Sequence, residues 1–326
     1  MLAWQMSELG DPWDKLNLVE TPSPKPGPGT LHIQVKATDV NFADILQCQG
    51  GYQVKLAPPF TPGMTAGGVV IAAGEGTDFN PGDRVVGHTL GVHGGYAQES
   101  LLEAEFTYKV PHDVPIEAAS GIHITHATSW FALYHRGRLQ PGETLLVLAA
   151  AGGVGSSAVQ MAHVHGCRVI AAAGGPEKVA FCHELGAKDV VDYRAEDLYT
   201  RVMDLTNGRG VDVVYDPVGG EYFDVARRLV AWEGRLLVVG FASGTIPSAP
   251  ANHALVKNYD IVGVHMGGYR GRDNELLRQC YQELYTQIAG GELSPVITER
   301  AGLKELPDTL KKLANRETLG RLLFVP

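Results

Sequence analysis

An apolar run at 144–148 leads into Ala149-Ala150-Ala151-Gly152-Gly153-Val154-Gly155, and the helix-compatible segment SSAVQMAHVHG follows. Strand, glycine turn and helix in that order can bring a backbone against a pyrophosphate. Gly152 would admit the phosphates, and Gly155 would let helix and strand pack closely. The N–H groups and dipole of the helix start would then hold the negative charge. Ala150 replaces the first glycine of the usual GxGxxG pattern. A plain strand-to-helix turn is the alternative, and the further strands at suitable spacing favour a nucleotide site.

The next apolar run, 168–172, ends in Ala173-Gly174-Gly175-Pro176-Glu177-Lys178. A fold specific for NAD carries an acid at this tip, bonded to the ribose diol. None is present, and Lys178 offers a point charge to a 2′-phosphate, so NADPH is expected over NADH. The alternative is a solvated lysine beside Glu177. His123 and His126, spaced i, i+3, are compatible with metal ligation from one helix face. No third ligand is evident, so cleft lining or ordinary helix surface is preferred to a metal site. Ser156 and Ser157 lack the GxSxG elbow of a nucleophile and read as small residues of a helix start. Trp130, Phe131 and Tyr134 form an apolar stripe at helical spacing and read as core.

The elements that must position these residues fall into two patterns. Up to about residue 120, short strands at 31–37, 69–73 and 84–86 are punctuated by glycine and proline, including the turn Pro81-Gly82-Asp83. The proline-rich stretch at 21–30 reads as a rigid connection. From Glu117, helical segments alternate with buried strands at 144–148, 168–172, 189–192, 211–216, 235–240 and 260–264, the layout of a parallel sheet. A helix over 272–289, a strand at 294–299, a helix at 304–315 and a strand at 321–325 resemble a return to the first pattern.

The chain has 326 residues, enough for two cores, and 44% hydrophobic residues against 19% charged, ordinary for a globular enzyme. A formal charge of -9 gives no net positive field for nucleic acid or an anionic membrane. Cys48, Cys167, Cys182 and Cys280 are scattered without a CxxC pair, which suits free thiols in a reducing compartment. No membrane span is expected, and the cytoplasm is the expected location.

Further segments, taken in order along the chain, resemble one family. Asn41-Phe42-Ala43-Asp44, Gly51-Tyr52 and Pro59-Phe60-Thr61-Pro62-Gly63 look like an NFxD to PxxPG segment. Pro81-Gly82-Asp83-Arg84-Val85 resembles a PGDRV turn, AAAGGVG a cofactor loop, Asp192-Tyr193-Arg194 an adenine-side segment, and Val239-Gly240-Phe241-Ala242-Ser243-Gly244 a nicotinamide-side loop. Together they resemble the medium-chain dehydrogenase/reductase family in its zinc-independent, quinone oxidoreductase (zeta-crystallin-like) branch.

The resemblance implies an α/β chain with a GroES-like, mostly-β catalytic domain (1–122 and 265–326) and an inserted Rossmann dinucleotide-binding domain (123–264). It implies a homodimer joined through the cofactor domains and a substrate cleft between domains. By matching position, Asn41, Thr128, Gly152, Gly153, Val154, Gly155, Gly174, Lys178, Tyr193, Phe241, Ser243 and Arg321 would line the NADPH site. Tyr52 and Asn41 would serve at the acceptor end. The family's PGxE segment reads Pro62-Gly63-Met64-Thr65, so its acid is absent and no zinc ligand stands there.

The expected function is zinc-free, NADPH-dependent reduction of a quinone by hydride transfer. Holding donor and acceptor together would suffice, since solvent can protonate the product. Reduction of an enal or enoyl thioester is the alternative within the same cofactor class, with Tyr52 or Asn41 polarising the carbonyl. A non-catalytic, crystallin-like or RNA-binding role is the alternative of another class. The acidic balance and the lack of aromatic-basic clusters oppose RNA.

Overall fold

The computed structural model describes every residue from Met1 to Pro326. The chain divides into a unit of Met1–Ile124 with Tyr281–Pro326 and a unit of Thr125–Cys280.

The first unit begins with β1 (Leu2–Met6), the short helix α1 (Pro12–Lys15) and β2 (Leu16–Glu20), the two strands paired antiparallel. Then come β3 (Thr30–Asp39), α2 (Phe42–Cys48), β4 (Thr65–Ala73), β5 (Arg84–Thr89), β6 (Glu99–Lys109) and α3 (Ile116–Ile122). Strands β3 to β6 pair antiparallel in sequence, and β6 pairs back onto β3, so they close into a barrel. Leu31, Ile33 and Val35 alternate along β3 and pack inward with Ala66, Val70, Val85 and Leu102.

The second unit follows a βα rhythm. Helix α4 (Thr125–Trp130) runs into a π-helical turn, Phe131–Arg136. Next are β7 (Thr144–Val147), α5 (Gly153–Val164), β8 (Arg168–Ala173), α6 (Pro176–Glu184), β9 (Asp189–Asp192) and α7 (Leu198–Leu205). The series ends with β10 (Val211–Asp216), α8 (Gly220–Leu229), β11 (Val230–Val238), α9 (Ala251–Lys257) and β12 (Asp260–Gly263). The strands form one parallel sheet in the order β12-β11-β10-β7-β8-β9, whose order reverses at β7, where a doubly wound sheet places its ligand. Leu146, Ile170, Val191, Val214 and Leu236 are among its buried side chains. Their near-continuous apolar runs are what a sheet covered on both faces requires.

Helix α10 (Asn274–Ala289) returns the chain to the first unit at Tyr281. There β13 (Ile297–Ala301), α11 (Leu306–Ala314) and β14 (Arg321–Phe324) follow, with β14 antiparallel to β3. The expected return at 265 differs from this division. Residues just beyond β12 stay with the second unit because the Tyr269 ring packs on Phe131, with centroids 4.5 Å apart. No helix is long and apolar enough to cross a membrane.

Candidate active site

In the second unit, β7 delivers Ala149 in the left-handed region (φ 49°), and Gly152 caps α5 in an extended conformation. A Cβ at Gly155 would lie 2.2 Å from the Ala149 carbonyl oxygen and 2.8 Å from Ala150 Cα, so only glycine lets α5 start this close to β7. A Cβ at Gly152 would meet only the Ala149 oxygen, at 3.4 Å. The protein itself therefore does not demand glycine there, and approach of a ligand to the backbone supplies a reason for it. Gly152, Gly153 and Val154 are half-buried, and the first-turn N–H groups lie beyond reach of any intrahelical acceptor. This is the donor-rich terminus a pyrophosphate fits.

Helix α4 lies against this start. Ser129 Oγ is 2.7 Å from Ser157 Oγ and donates to the Val154 carbonyl at 3.2 Å, while half-buried Thr128 is its chain neighbour. Ser156 and Ser157 donate to the Gly153 and Val154 carbonyls of their own helix, so both hydroxyls serve packing.

At the tip of β8, the Tyr193 ring closes over buried Gly174, where a Cβ would lie 2.7 Å from Tyr193 Cζ. Asp192 Oδ1 accepts the N–H groups of Gly175 (2.9 Å) and Arg194 (3.0 Å). Those backbone bonds, Gly175 first, hold its carboxyl below the usual carboxylate range. Half-buried Lys178 occupies the first turn of α6. Arg194 Nη1 would be 3.5 Å from a Cβ at Gly175, so a second cation stands at the same turn. Sequence reasoning passed over Asp192 and Arg194, although the DYR segment ending β9 carried the signal. Across the sheet, Asp216 accepts Val218 N–H (2.8 Å) and Gly219 N–H (2.9 Å), fixing a loop on which the 241–243 segment rests. Ala242 and Ser243 donate to the Pro217 and Val218 carbonyls at 3.0 Å, and the Phe241 side chain lies against Gly219.

The first unit carries the remaining candidates. Asn41 caps α2, and buried Arg321 on β14 donates from Nη2 to Asn41 Oδ1 at 3.1 Å. The same nitrogen lies 3.4 Å from Asp39 Oδ2, and Arg321 Nε donates to the Gly121 carbonyl at 3.0 Å. Thr65 donates to Asp39 Oδ1. Burial lowers the Arg321 pKa, opposed first by the charge of Asp39. Beside them Asp44 is sealed from solvent, accepting Asn41 N–H (2.9 Å), Met64 N–H (3.1 Å) and the Tyr96 hydroxyl (2.9 Å). Burial, then the charge of Asp39, pushes its carboxyl up to about 7 against those three hydrogen bonds. Tyr52 is half-buried in the loop after α2. The structure thus joins Asn41 to Arg321, and the sequence reading missed Asp39, which supplies Arg321 with its counter-charge.

The histidine reading is corrected. Helix α3 ends at Ile122 and α4 begins at Thr125, so His123 and His126 share no helix face. Neither is surface: they are 0% and 1% exposed. The His123 ring stacks on Tyr281 at 4.6 Å, and the Tyr281 hydroxyl donates to the His123 carbonyl at 3.0 Å. No group of three or more His, Cys, Asp or Glu side chains is arranged to hold a metal.

Comparison with known proteins gives two family matches. The alcohol dehydrogenase GroES-like domain matches residues 27–112, and the family described as zinc-binding dehydrogenase matches 153–284. Quinone oxidoreductase-like protein 2 of Bos taurus is 37% identical over 310 residues, covering 94% of this chain and 88% of its own length. A solved mycobacterial protein complexed with NADPH superposes over 100% of both chains with TM-score 0.91 and 31% identity. The Escherichia coli quinone oxidoreductase complexed with NADPH does so over 100% of both chains with TM-score 0.92 and 27% identity.

The raised Asp44 pKa has a definite sign. The folded state holds this proton more tightly than the unfolded chain, so its stabilising contribution is complete below the unfolded value near 3.8 and is lost as pH rises to about 7. Asp44→Asn cannot titrate. The melting temperature of the native protein minus that of the variant should therefore shrink between pH 4 and pH 7, by on the order of 5 °C. A pH-independent difference in calorimetry would contradict the assignment.

Proposed function

Because the chain belongs to the medium-chain dehydrogenase/reductase family, in its quinone oxidoreductase branch, and is an oxidoreductase, we propose that it reduces quinones with NADPH and without zinc. The observation that carries the reading is the tip of β8. Lys178 and Arg194 bring positive charge to the Gly174–Gly175 turn, the carboxylate of Asp192 is engaged by backbone N–H groups, and that of Glu177 stands exposed in the first turn of α6. That arrangement suits a 2′-phosphate and offers no dedicated acceptor to an unsubstituted ribose diol.

Gly152, Gly153, Val154 and Gly155 would hold the pyrophosphate, and Gly174, Lys178 and Tyr193 the adenine end. Thr128, Phe241, Ser243, Asn41 and Arg321 would hold the nicotinamide end. The cofactor supplies a hydride when bound. Tyr52 would pack against the acceptor and orient it, while solvent delivers the proton that completes the hydroquinone. Where the family's acid would stand, the Thr65 hydroxyl is engaged with Asp39 and Met64 is a thioether, a donor pair unsuited to zinc. Following NADPH oxidation with quinones, enals and enoyl thioesters should give the fastest turnover on quinones, unchanged by a chelator. Faster turnover on an enoyl thioester, or activity lost with a bound zinc, would overturn the reading.

The cofactor preference is tested by Lys178→Ala. A lost charge-assisted contact costs about 1.5–3 kcal/mol, so NADPH affinity should fall about ten- to a hundredfold while NADH affinity stays nearly unchanged. Equal losses for both would remove Lys178 from the 2′-phosphate site.

A homodimer through the second unit is part of the same reading. Strand β12 is an edge of its sheet, and Leu255 and Val256 on α9 are 79% and 71% exposed, with Ile261 on β12 at 38%. Such an edge with apolar side chains is suited to cover by a second copy. Sedimentation should give a dimer for the native chain and a monomer for the Leu255→Asp, Val256→Asp double variant; a native monomer would refute the proposal.

A further inference from the structure

The sequence lacks an acid at position 65, yet Arg321 is not left without a counter-charge. Strands β3 and β4 run antiparallel with Ala37 opposite Gly67, and two residues further along each strand the Thr65 hydroxyl donates to the Asp39 carboxylate. Strand β14 flanks β3 on its other edge, with Leu323 opposite Asp39, which brings Arg321 within reach. The side chains of Asp39, Thr65 and Arg321 are 1%, 2% and 3% exposed as residues, so their contacts face little competition from water.

The contacts converge on Asp39 and branch at Arg321. The Thr65 hydroxyl donates to Asp39 Oδ1, while Arg321 Nη2 donates both to Asp39 Oδ2 at 3.4 Å and to Asn41 Oδ1 at 3.1 Å. A guanidinium only donates, so the Asn41 atom it meets must be the carbonyl oxygen, and the amide cannot flip. Asn41 Nδ2 keeps a long 3.5 Å contact with the Asp39 carbonyl and retains a proton for an external acceptor. From this the structure assigns to Asp39 and Thr65 the role of positioning residues: acting through Arg321, they make Asn41 present an N–H donor to a carbonyl oxygen of the bound reactants. The assignment rests on the reading of Asn41 as a site residue. Position 65 carries no acid, and the carboxylate that faces Arg321 comes from β3, with the threonine hydroxyl donating to it.

A carboxylate exchange tests this. Asp39→Asn should lower NADPH-dependent quinone turnover about tenfold or more, because Arg321 loses its counter-charge and Asn41 its fixed orientation. Thr65→Glu alone adds a second buried carboxylate beside Asp39 and should also be impaired. Combined, the two substitutions return one carboxylate to Arg321 and should recover turnover to within about threefold of the native protein. Independent structural roles predict losses that multiply in the double variant, and that result would overturn the inference. Melting temperatures of the four proteins should show the same reversal, which judges the inference even if the native protein turns over no quinone and the proposed function fails. Should the glutamate proteins not fold, Thr65→Val takes their place. Its loss should vanish in the Asp39→Asn background, because the hydroxyl acts only through that carboxylate; an equal loss in both backgrounds would overturn the assignment.

Discussion

A guanidinium almost wholly removed from water ties the first unit together. Arg321 reaches from β14 to the end of β3, to the cap of α2 and to the last turn of α3, through Asp39, Asn41 and Gly121. Burying an ion pair gains little stability by itself, because desolvation offsets the attraction. Removing one partner is another matter, since the other charge remains buried and uncompensated. The arrangement thus trades modest net stability for a fixed relation among strand ends. Asp44 completes it by holding the backbone at Asn41 and Met64 while giving up much of its own tendency to ionise.

The second unit solves its positioning problem with backbone rather than charge. Gly155 permits the close approach of α5 to β7, and Asp192 and Asp216 each gather two N–H groups to shape the loops that end β9 and β10. Both carboxylates sit at carboxyl ends of parallel strands, where a doubly wound sheet meets its ligands. Their pKa values move in opposite directions for a simple reason. Backbone donors dominate at open Asp192, whereas burial dominates at Asp216.

The sheet of the second unit was legible because a parallel strand buried on both faces is written as an unbroken apolar run. The strands expected at 144–148 and 168–172 fall on β7 (Thr144–Val147) and β8 (Arg168–Ala173), which are buried along nearly their whole length. The glycine loop was legible for the same local reason. Side-chain partnerships across long separations were not: Asp39 and Arg321 stand 282 residues apart, and nothing in the local pattern of β3 marks Asp39 as buried with a cation. Helix breaks were also hidden. His123 and His126 satisfy a helical spacing, and only the interruption between Ile122 and Thr125 separates them. The DYR segment shows an intermediate case, in which Tyr193 was picked out while Asp192, which shapes the turn, was overlooked.

The place of β14 in the chain carries a consequence for biogenesis. All of residues 125–280 intervene between β3 and the strand that supplies Arg321. On a translating ribosome the inserted unit emerges whole and has its own core to collapse around. The barrel meanwhile waits, with Asp39 hydrated and the flank of β3 open to the wrong partner. Closure then joins ends of very distant origin, the kind of contact that forms late and slowly. The contact of Arg321 with Asp39 therefore cannot form before all of the inserted unit has been made.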